Sequence, residues 1–423
     1  MMHEHGQSDR HVVRTKPPNN GPKRPAEAVE GRRLTKGNLR QPTRFRTPRR
    51  VRMSHALERV RHAASRDRTR RFTALLHHVY RLETLRRAYD GVNPQAVPGV
   101  DGRTGQQDGE ELETHLQALA DRLVRGAYRA QPTRRTSSPK ADGRQRPLGV
   151  TALEDTIVQA ALVAVLHAIY AVDFRGLSYG SRPGRRPHDA LDALTVALER
   201  SKVHWVLKIA MRGLFDAMVH AWLERFLAHR IADRRIVRRI RQWWQAGVRE
   251  DGTHRPSAMG SPQGASFSPL AATISLHDVC DVWAHQWRHR HCQGAVRLVR
   301  DVDAIVVGFE HRQEAEQFQD ALRQRLATCG LELHPEKTRV MAFGRVARTW
   351  RLTRGLGKPE TLTLLGFTHV CRQSRQGGYQ VMRRTMAQRV RAKLAESKAE
   401  LGRRTHQSVP LQGAWLRSVL VGH

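Results

Sequence analysis

Cysteine is scarce in this chain, and the four cysteines never fall into a Cys-X-X-Cys pair. Their spacing gives no sign of a zinc site or of a disulfide framework, which fits a reducing compartment. No apolar run reaches the roughly 18 residues that suggest a membrane-spanning helix. The amino terminus also lacks the apolar core of a signal peptide. We therefore expect a soluble, cytoplasmic protein that does not enter a membrane.

Acidic residues are in the minority. Lys and Arg number 74 against 39 Asp and Glu, which gives a formal net charge of +35 and a sequence pI near 11.5. A charge of this size favours a polyanionic partner, and nucleic acid is the usual one. Counterion release would then make binding fall steeply as the salt concentration rises. A ribosomal-type or merely soluble basic protein is the alternative that charge alone leaves open.

The length of 423 residues is enough for two or three domains with a large core. Residues 1–70 are rich in Lys and Arg, and prolines interrupt any helical period. We predict a basic, largely disordered extension, either an electrostatic arm for RNA or a solubilising leader. Apolar residues recur at helical spacing from Phe72 to Tyr89, so the folded part is predicted to begin at about residue 71.

One stretch, residues 297–308, places β-branched and apolar residues on both sides of Asp301 and Asp303. This pattern is typical of a β-hairpin that carries carboxylates at its tip. Carboxylates that face a second strand are how the palm of a nucleotidyltransferase holds two divalent ions about 4 Å apart. The apolar residues 205–210 are predicted to form a short strand, but the carboxylate set is incomplete.

Several Gly- and Pro-rich turns carry polar residues with more than one interpretation. Basic residues within 139–150 could grip phosphate through backbone N–H groups and point charges. Arg182 could bond a triphosphate or cap a helix, and taken alone it favours the cap. The turn at 260–270 would let a ligand approach the backbone closely, and Lys337 could donate a proton. Residues 364–368 are predicted to form another short strand.

Taken in order, these segments resemble the bacterial group II intron reverse transcriptase and maturase family. The resemblance begins near Arg71 and covers nearly all of the chain that follows. A single block of this kind would be weak, but six in the family's order make the resemblance specific. The blocks are Pro98-Gly-Val-Asp-Gly102, Arg144-Gln-Arg-Pro-Leu-Gly149, Ser178-Tyr-Gly180 with Arg182-Pro-Gly184, Ser261-Pro-Gln-Gly264, Leu331-Glu-Leu-His-Pro-Glu-Lys337 and Leu365-Gly-Phe367.

The resemblance implies an α+β chain with the right-hand fold of a polymerase. Fingers and palm would occupy residues 71–372, and residues 373–423 would form a partial, truncated thumb, the maturase or X domain, which also grips intron RNA. The resemblance implies Mg²⁺ as the cofactor. Group II intron RNA or another structured RNA would be the partner, and DNA is a second candidate polymer.

The family's pattern also implies roles for individual residues. Lys140 and Arg146 would meet the phosphates of the incoming nucleotide, and Arg182 would line the same pocket. Phe215 would be the bulky gate against a ribose 2′-hydroxyl. The remaining implied positions are Gln263 and Gly264 beside the templating pair, Lys337 as proton donor to the leaving pyrophosphate, and Asp303 as metal ligand.

Two departures from the family decide what chemistry is expected. The family has Asp where this chain has Ala210, and Tyr-Ala-Asp-Asp where this chain has Asp301-Val-Asp-Ala304. Mg²⁺ needs carboxylate oxygens, and Asp303 is the single expected ligand that remains. Asp301 is a candidate replacement because residues i and i+2 share a strand face, although the family has a packing Tyr there. Lys208 shares a face with Ala210 and adds positive charge where the cations would lie.

Three hypotheses follow. The first is a pseudoenzyme of the reverse transcriptase fold that binds RNA and polymerises poorly or not at all, because ligands that act as a unit are lost together. The second is an active RNA-directed DNA polymerase that uses Asp303 with Asp301. The third is a decayed mobile-element remnant without a function, which would show no cooperative unfolding if it cannot fold. The first is favoured on chemical grounds.

Overall fold

The computed structural model describes most of the chain from residue 55 onward. Lys140 and residues 1–54 lie outside the described part, so the basic extension and the phosphate contact of Lys140 stay predictions. The described residues are 55–105, 109, 111–139, 145–255, 259–374 and 376–422.

The folded part begins earlier than the sequence indicated. Helix α1 (His55–Arg66) buries Leu57, Val60 and Ala64, and it packs against α5 (Leu153–Tyr170). The predicted boundary at residue 71 is therefore wrong. Arg and His fill the other faces of α1, so the segment has the composition of a basic tail while its apolar residues keep helical spacing.

Helix α5 lies at the centre of the larger hydrophobic core. It is long and apolar enough to cross a membrane by length and composition alone, but 67% of it is buried inside this fold. The side chains of Leu162, Val165 and Leu166 are almost fully buried. A helix that is apolar on all sides is what the interior of a large domain requires, so α5 is explained as a core helix.

The central sheet has four antiparallel strands in the spatial order β6-β7-β3-β8. Strands β6 (Val296–Asp301) and β7 (Ala304–Phe309) form the predicted hairpin, and β3 (Trp205–Ala210) pairs with β7. Strand β8 (Arg339–Ala342) lies on the other side of β3. Apolar and β-branched residues dominate the inner strands, as expected of a sheet that is covered on both faces.

Side chains alternate between two cores on the faces of this sheet. Leu207, Ile209 and Val307 belong to the larger core together with α5, while Val206 and Val306 belong to a smaller core. Successive side chains in a strand point to opposite faces, so the register decides which residues share a face with position 210.

A second sheet, here called the front sheet, has the order β2-β1-β4-β5. Strands β1 (Thr133–Pro139) and β2 (Gln145–Val150) pair antiparallel, and β1 pairs parallel with β4 (Val248–Glu250). Strand β5 (Thr253–Arg255) pairs with β4. Pro139 ends β1 and residues 145–150 form β2, while residues 140–144, where the basic turn was predicted, lie outside the described part.

The C-terminal sheet follows, in the order β11-β10-β9. The predicted strand at 364–368 is wrong. Leu365 and Gly366 have positive φ angles of 49° and 85°, so the chain turns there between two strands. The strands are β9 (Leu362–Leu364), β10 (Phe367–Gln373) and β11 (Tyr379–Thr385).

The C-terminal sheet shares its core with the central sheet. Leu362, Leu364 and Val381 pack with Val206 and Val306 in the smaller core. The predicted domain boundary at residue 372 therefore divides one sheet between two domains. The change from strands to helices comes after β11.

The described part of the chain ends in two helices, α14 (Ala387–Arg403) and α15 (Val409–Gly422). Helix α14 buries none of its side chains, and Leu394, Leu411 and Leu420 are exposed. These two helices therefore contribute little to either core.

The other helices surround the sheets, and a π-helix (His277–Val282) lies behind the central hairpin. Their bounds are α2 (Leu76–Val79), α3 (Leu82–Asp90), α4 (Leu112–Arg125), α6 (Pro187–Arg200), α7 (Leu214–Ala217), α8 (His220–Ala228), α9 (Arg234–Gln245), α10 (Ser268–Leu276), α11 (Trp283–His291), α12 (Arg312–Ala327) and α13 (Ala347–Leu352).

A buried ion pair joins the central hairpin to the π-helix. Arg300 and Asp281 are both fully buried, and the guanidinium donates two hydrogen bonds to the carboxylate, at 2.7 and 2.6 Å. Arg300 also donates to the hydroxyl of Ser178 at 2.8 Å and to the carbonyl of Val302 at 3.1 Å. Burial by itself would raise the pKa of Asp281, but the charge of Arg300 holds that pKa below its ordinary value.

We predict that Asp281→Asn lowers the free energy of unfolding by about 3–5 kcal/mol, because it leaves the Arg300 guanidinium buried without a counter-charge. Equilibrium unfolding in urea measures this loss. Arg312→Gln is the control, since it breaks an exposed pair with Glu316 and should change stability by less than about 1 kcal/mol. Equal small losses in both variants would contradict the role given to the buried pair.

Candidate active site

The tip of the central hairpin is held in one conformation by backbone contacts. Val302 has a φ of 52°, in the left-handed region that a β-branched residue rarely adopts. Its carbonyl accepts the hydrogen bond from Arg300, and the amide of Tyr179 donates to the carbonyl of Arg300 at 2.8 Å. Asp303 is exposed at the turn. Strain of this kind persists only where the surroundings fix the backbone.

The register of the sheet places three positions of the predicted metal site in one row. Asp301 pairs with Ala304 across β6 and β7, and Ala304 pairs with Ala210 across β7 and β3. Paired residues share a face, and neighbouring strands lie about 4.8 Å apart. The two alanines that replace the family's aspartates are therefore direct neighbours at the end of the sheet.

Asp301 and Asp303 are the carboxylates at this end of the sheet. Asp301 is half-buried, and within the described residues its Oδ2 atom has no hydrogen-bond partner. Burial raises the pKa of Asp301, and the nearby charge of Asp303 raises it further. A Cβ atom on Gly180 would come within 2.7 Å of Asp301 Oδ1, so the carboxyl group packs directly against the Gly180 backbone.

Positive charge lies on the same face of the sheet, two residues along β3 from this row. Lys208 is half-buried two residues before Ala210, and its ammonium donates to the hydroxyl of Thr363 at 2.8 Å. Burial lowers the pKa of Lys208, and the charges of Arg339 and Lys337 lower it further. The three cations are therefore close enough to repel one another.

The donor set does not fit a pair of divalent ions. Reverse transcriptases generally use divalent metal ions, which take oxygen ligands from carboxylates. Within the ranges that the structure covers, no group of three His, Cys, Asp or Glu side chains could hold a metal ion. Ala210 and Ala304 offer no ligand atoms, and Lys208 places a cation beside them.

The exposed Lys337 lies in the turn just before β8, and its role as proton donor stays a prediction. The hydroxyl of the next residue, Thr338, accepts from the amide of Ala210 at 3.2 Å and donates to its carbonyl at 3.1 Å. The amide of His334 donates to the same carbonyl at 2.8 Å. These bonds tie the turn that carries Lys337 to the strand that carries Ala210.

A cleft of about 310 Å³ lies between the front sheet and the loop at 260–264. The amide of Gly149 donates to the carbonyl of Gln263 at 2.6 Å, and the amide of Ser261 donates to the carbonyl of Phe215 at 2.7 Å. Gln263 lines this cleft, while Phe215 contacts the loop through its backbone and packs against the larger core; the roles implied for Phe215, Gln263 and Gly264 stay predictions.

The predicted nucleotide contact of Arg182 is not supported. Its guanidinium donates to four backbone carbonyls, those of Ala171, Phe174, Arg175 and Ser178, at 2.6–3.3 Å. These carbonyls follow the end of α5, so the geometry is that of the helix cap, the alternative that the residue alone favoured. Burial lowers the pKa of Arg182 to about 9.

The structure gives less detail on the other basic position of the predicted pocket. Arg146 lies in β2, where its backbone is opposite Ser138. Its side chain lies outside the described part of the structure, as Lys140 does entirely. Their roles stay predictions.

Sequence analysis missed a buried polar cluster beneath the cleft. Asp155 accepts hydrogen bonds from the hydroxyl of Tyr128 and, at 2.9 Å, from the amide of Gln131. Trp243 donates to the Tyr128 oxygen at 2.8 Å. Burial raises the pKa of Asp155 to about 6, although the hydrogen bonds favour its charged form. The sequence does show that Asp155 lies in the first turn of the apolar helix α5. Acidic residues are common at helix starts, so this position did not indicate a buried cluster.

We predict that Asp155 makes stability fall as pH rises. Its pKa in the folded protein is raised, so its contribution is complete below about pH 4 and is lost as pH rises through about 6. Between these limits the wild type should lose up to about 3 kcal/mol relative to Asp155→Asn. Urea unfolding from pH 4 to 7 measures the difference. Asp320→Asn, at an exposed carboxylate, should give no such trend, and parallel curves for Asp155→Asn would refute the assignment.

We predict that Gly264→Ala distorts the cleft. Gly264 has a φ of 116°, and a Cβ atom would lie 2.6 Å from the carbonyl oxygen of Gly149. Strain and backbone displacement should lower the free energy of unfolding by about 2 kcal/mol or more. The control is Gly402→Ala, in the last turn of α14 with open space around it, which should stabilise by up to about 1 kcal/mol. Stabilisation by both substitutions would show that the loop does not pack on β2 in this way.

Comparison with known proteins agrees with the resemblance seen in the sequence. A family model described as reverse transcriptase (RNA-dependent DNA polymerase) matches residues 138–369, more than half of the chain. Such a domain has the right-hand polymerase fold, and the mixed helices and sheets described above are compatible with the predicted α+β class.

Similar proteins come from bacteria and yeast. The chain is 35% identical over 207 residues to Protein YkfC of Escherichia coli strain K12, which covers 48% of this chain and 53% of that protein. It is 28% identical over 224 residues to the group II intron-encoded protein LtrA of Lactococcus lactis subsp. cremoris, covering 53% and 37% of the two chains. An uncharacterized 91 kDa protein in the cob intron of Schizosaccharomyces pombe is 31% identical over 172 residues, covering 41% and 21%.

The chain thus spans about half the length of the E. coli protein and less of the other two. The match with the domain model includes the central hairpin, β3 and the loop at 260–264. The chain belongs to the reverse transcriptase family and, within it, to the group II intron reverse transcriptase and maturase family.

Proposed function

We propose that this protein is an RNA-binding pseudoenzyme of the reverse transcriptase fold, whose polymerase activity is lost or very weak. The observation that carries the proposal is the pairing of Ala210 with Ala304 in the central sheet. Two of the three carboxylates that the family pattern expects are absent at adjacent positions. The fold around them is retained.

The parts of the fold correspond to the parts of a right hand in this proposal. The central sheet is the palm, and the front sheet with the loop at 260–264 belongs to the fingers. Helices α14 and α15 form the partial thumb, or maturase domain. The exposed basic residues of α14 and the unburied apolar side chains of both helices are suited to contact with a large partner.

The proposed partner is structured RNA, with group II intron RNA as the first choice and DNA as the second. The net charge of +35 supports a polyanionic partner. The name of the L. lactis relative says that it is encoded by a group II intron, which supports the same choice. The cytoplasm is the proposed location.

The loss of activity follows from the chemistry of the site. Two-metal catalysis places an ion on both the attacking and the leaving oxygen, and each ion is held by carboxylates together with substrate phosphates. Removing ligands that act as a unit lowers the rate by several orders of magnitude. Lys208 opposes the return of a cation through its own charge.

The cleft between the front sheet and the loop at 260–264 is the proposed place for a nucleotide base and sugar. Phe215 would limit the space near the ribose 2′ position, and Gln263 and Gly264 would form the wall beside the template. Lys140 and Arg146 would meet phosphates. Lys337 would face the leaving group in any activity that remains.

A second candidate function is an active polymerase that uses Asp303 with Asp301. One observation favours it. Asp301 carries a buried oxygen without a described hydrogen-bond partner, close enough to Asp303 for their charges to interact. A ligand cation would satisfy that oxygen.

We predict that the wild-type protein gives no primer extension on an RNA template with Mg²⁺ or Mn²⁺. Ala210→Asp combined with Ala304→Asp should restore it, because the pair supplies both missing carboxylates to one row of the sheet. Extension assays with labelled primers measure both. The double variant Ala210→Asn, Ala304→Asn is the control, since it adds similar volume without the charge.

Two outcomes would count against the proposal. Wild-type extension that disappears on Asp301→Ala or Asp303→Ala would establish the second candidate function. A folded double aspartate variant that stays inert would show that the site is assigned wrongly. Thermal melting of each protein accompanies the assay, and a wild type without a cooperative transition would favour the decayed remnant.

A further inference from the structure

Lys208 is a half-buried cation for which the described residues supply no ion-pair partner. Its ammonium is half-buried and reaches one acceptor, the hydroxyl of Thr363. Within the described part of the chain, the charged groups that act on it are the cations Arg339 and Lys337. An ammonium has three N–H donors, so two remain for oxygen atoms from another source. Burying a cation without a counter-charge is costly, and proteins avoid it unless a ligand supplies one.

The neighbouring strand concentrates this positive charge. Lys208 pairs directly with Arg339 across β3 and β8. Lys337 lies in the turn just before β8, next to Thr338, whose hydroxyl bonds the backbone of Ala210. Arg339 has a partial counter-charge in Glu360, at 3.2 Å, but Glu360 is shared with Arg351 at the same distance. The local charge is therefore positive.

Alanine at positions 210 and 304 leaves the positive charge of Lys208 free to attract an anion from outside the protein. A carboxylate at position 210 would lie on the same face as Lys208, about 7 Å away along the strand, and would attract its ammonium. A carboxylate at position 304 would add a second negative charge across the strand pair. With alanine at both positions, β3 and β7 supply no carboxylate at this end of the sheet, and Asp301, on the far side of β7, is the remaining acidic member of the row.

We propose that Lys208, Lys337 and Arg339 form a phosphate-binding site that takes a phosphodiester of bound RNA without a divalent ion. The inference rests on the proposed function, and it assigns a ligand to the place where the metal site of an active family member would be. The same two alanines would then remove the metal ligands and leave the cations available for a direct phosphate contact. The same chemistry would recognise the terminal phosphates of a free nucleotide, so the test separates these two sources.

The test measures binding of a fluorescently labelled RNA hairpin by anisotropy, in EDTA, over a range of KCl concentrations. Wild type, Lys208→Met and Lys202→Met are compared. Methionine keeps the unbranched stem and removes the charge. Lys202 is exposed and precedes the opposite end of β3, about 20 Å from the proposed site. Both variants therefore lose the same net charge.

We expect Lys208→Met to weaken RNA binding about tenfold, the effect of one hydrogen bond to a charged group. We also expect the slope of log K against log salt to become shallower by about 0.7–1, because one phosphate contact is lost. Lys202→Met should leave the slope unchanged. The inference is falsified if Lys208→Met, folded as judged by thermal melting, keeps the wild-type affinity and slope.

A second set of variants keeps the test decisive if Lys208→Met does not fold. Lys337→Met and Arg339→Met change exposed side chains, and each should lower the slope by a similar amount. In Ala210→Asp, Ala304→Asp the new carboxylates should neutralise the site, so RNA binding in EDTA weakens and added Mg²⁺ restores it. Wild-type binding should gain nothing from Mg²⁺. Stronger wild-type binding on addition of Mg²⁺ would contradict a site that works without metal.

Competition with inorganic tripolyphosphate in EDTA separates the two phosphate sources. Displacement of RNA from wild type, but not from Lys208→Met, would assign the site to terminal phosphates of a nucleotide and overturn the phosphodiester assignment. Equal, weak competition in both would support the RNA backbone. Primer extension by the wild type would overturn the proposed function but would leave the measured salt slopes unchanged, so the two failures are distinguishable.

Discussion

The buried ion pair between Arg300 and Asp281 sets the position of the groups at the end of the central sheet. Two charges that are fully removed from water are stable only in close contact, so this pair allows little displacement of the hairpin against the π-helix. Through the same guanidinium, the carbonyl of Val302 is held in a turn that its side chain disfavours. Asp301 and Asp303 flank that residue. The geometry of the carboxylates therefore depends on a bond that neither of them makes.

The fold of a polymerase is kept here around a site with fewer carboxylates than the family pattern implies. In an active family member the end of this sheet would be negative until cations bind. In this chain two of the negative positions are alanine, and Lys208 lies beside them. In the proposed site such a surface would attract phosphate directly rather than through metal ions, because Coulomb attraction at a half-buried site is weakly screened. The proposed function thus separates binding from catalysis on one scaffold, and the family assignment alone does not decide the activity.

Several features were predictable because local sequence determines them. The hairpin around Asp301 and Asp303 follows from β-branched residues on both sides of a polar tip, and the apolar strand ending at Ala210 follows from composition. Other features were missed where two explanations share one signal. Helix α1 has the composition of a disordered basic tail, and the apolar stretch at 364–368 hides a turn at Leu365 and Gly366. Arg182 alone favours a helix cap but also fits a phosphate contact, and only its surroundings decide between them.

The sequence by itself determined the identity of the residues at the site, namely which carboxylates are missing and that a lysine precedes one of them by two positions. It also determined that Lys208 and Ala210 share one face of their strand, since successive side chains in a strand alternate between faces. Only the tertiary structure decided that Ala210 and Ala304 are direct neighbours and that Arg339 lies opposite Lys208. These facts depend on the register between strands that are up to about 130 residues apart in the chain, and register is set by the packing of both sheet faces rather than by any local pattern.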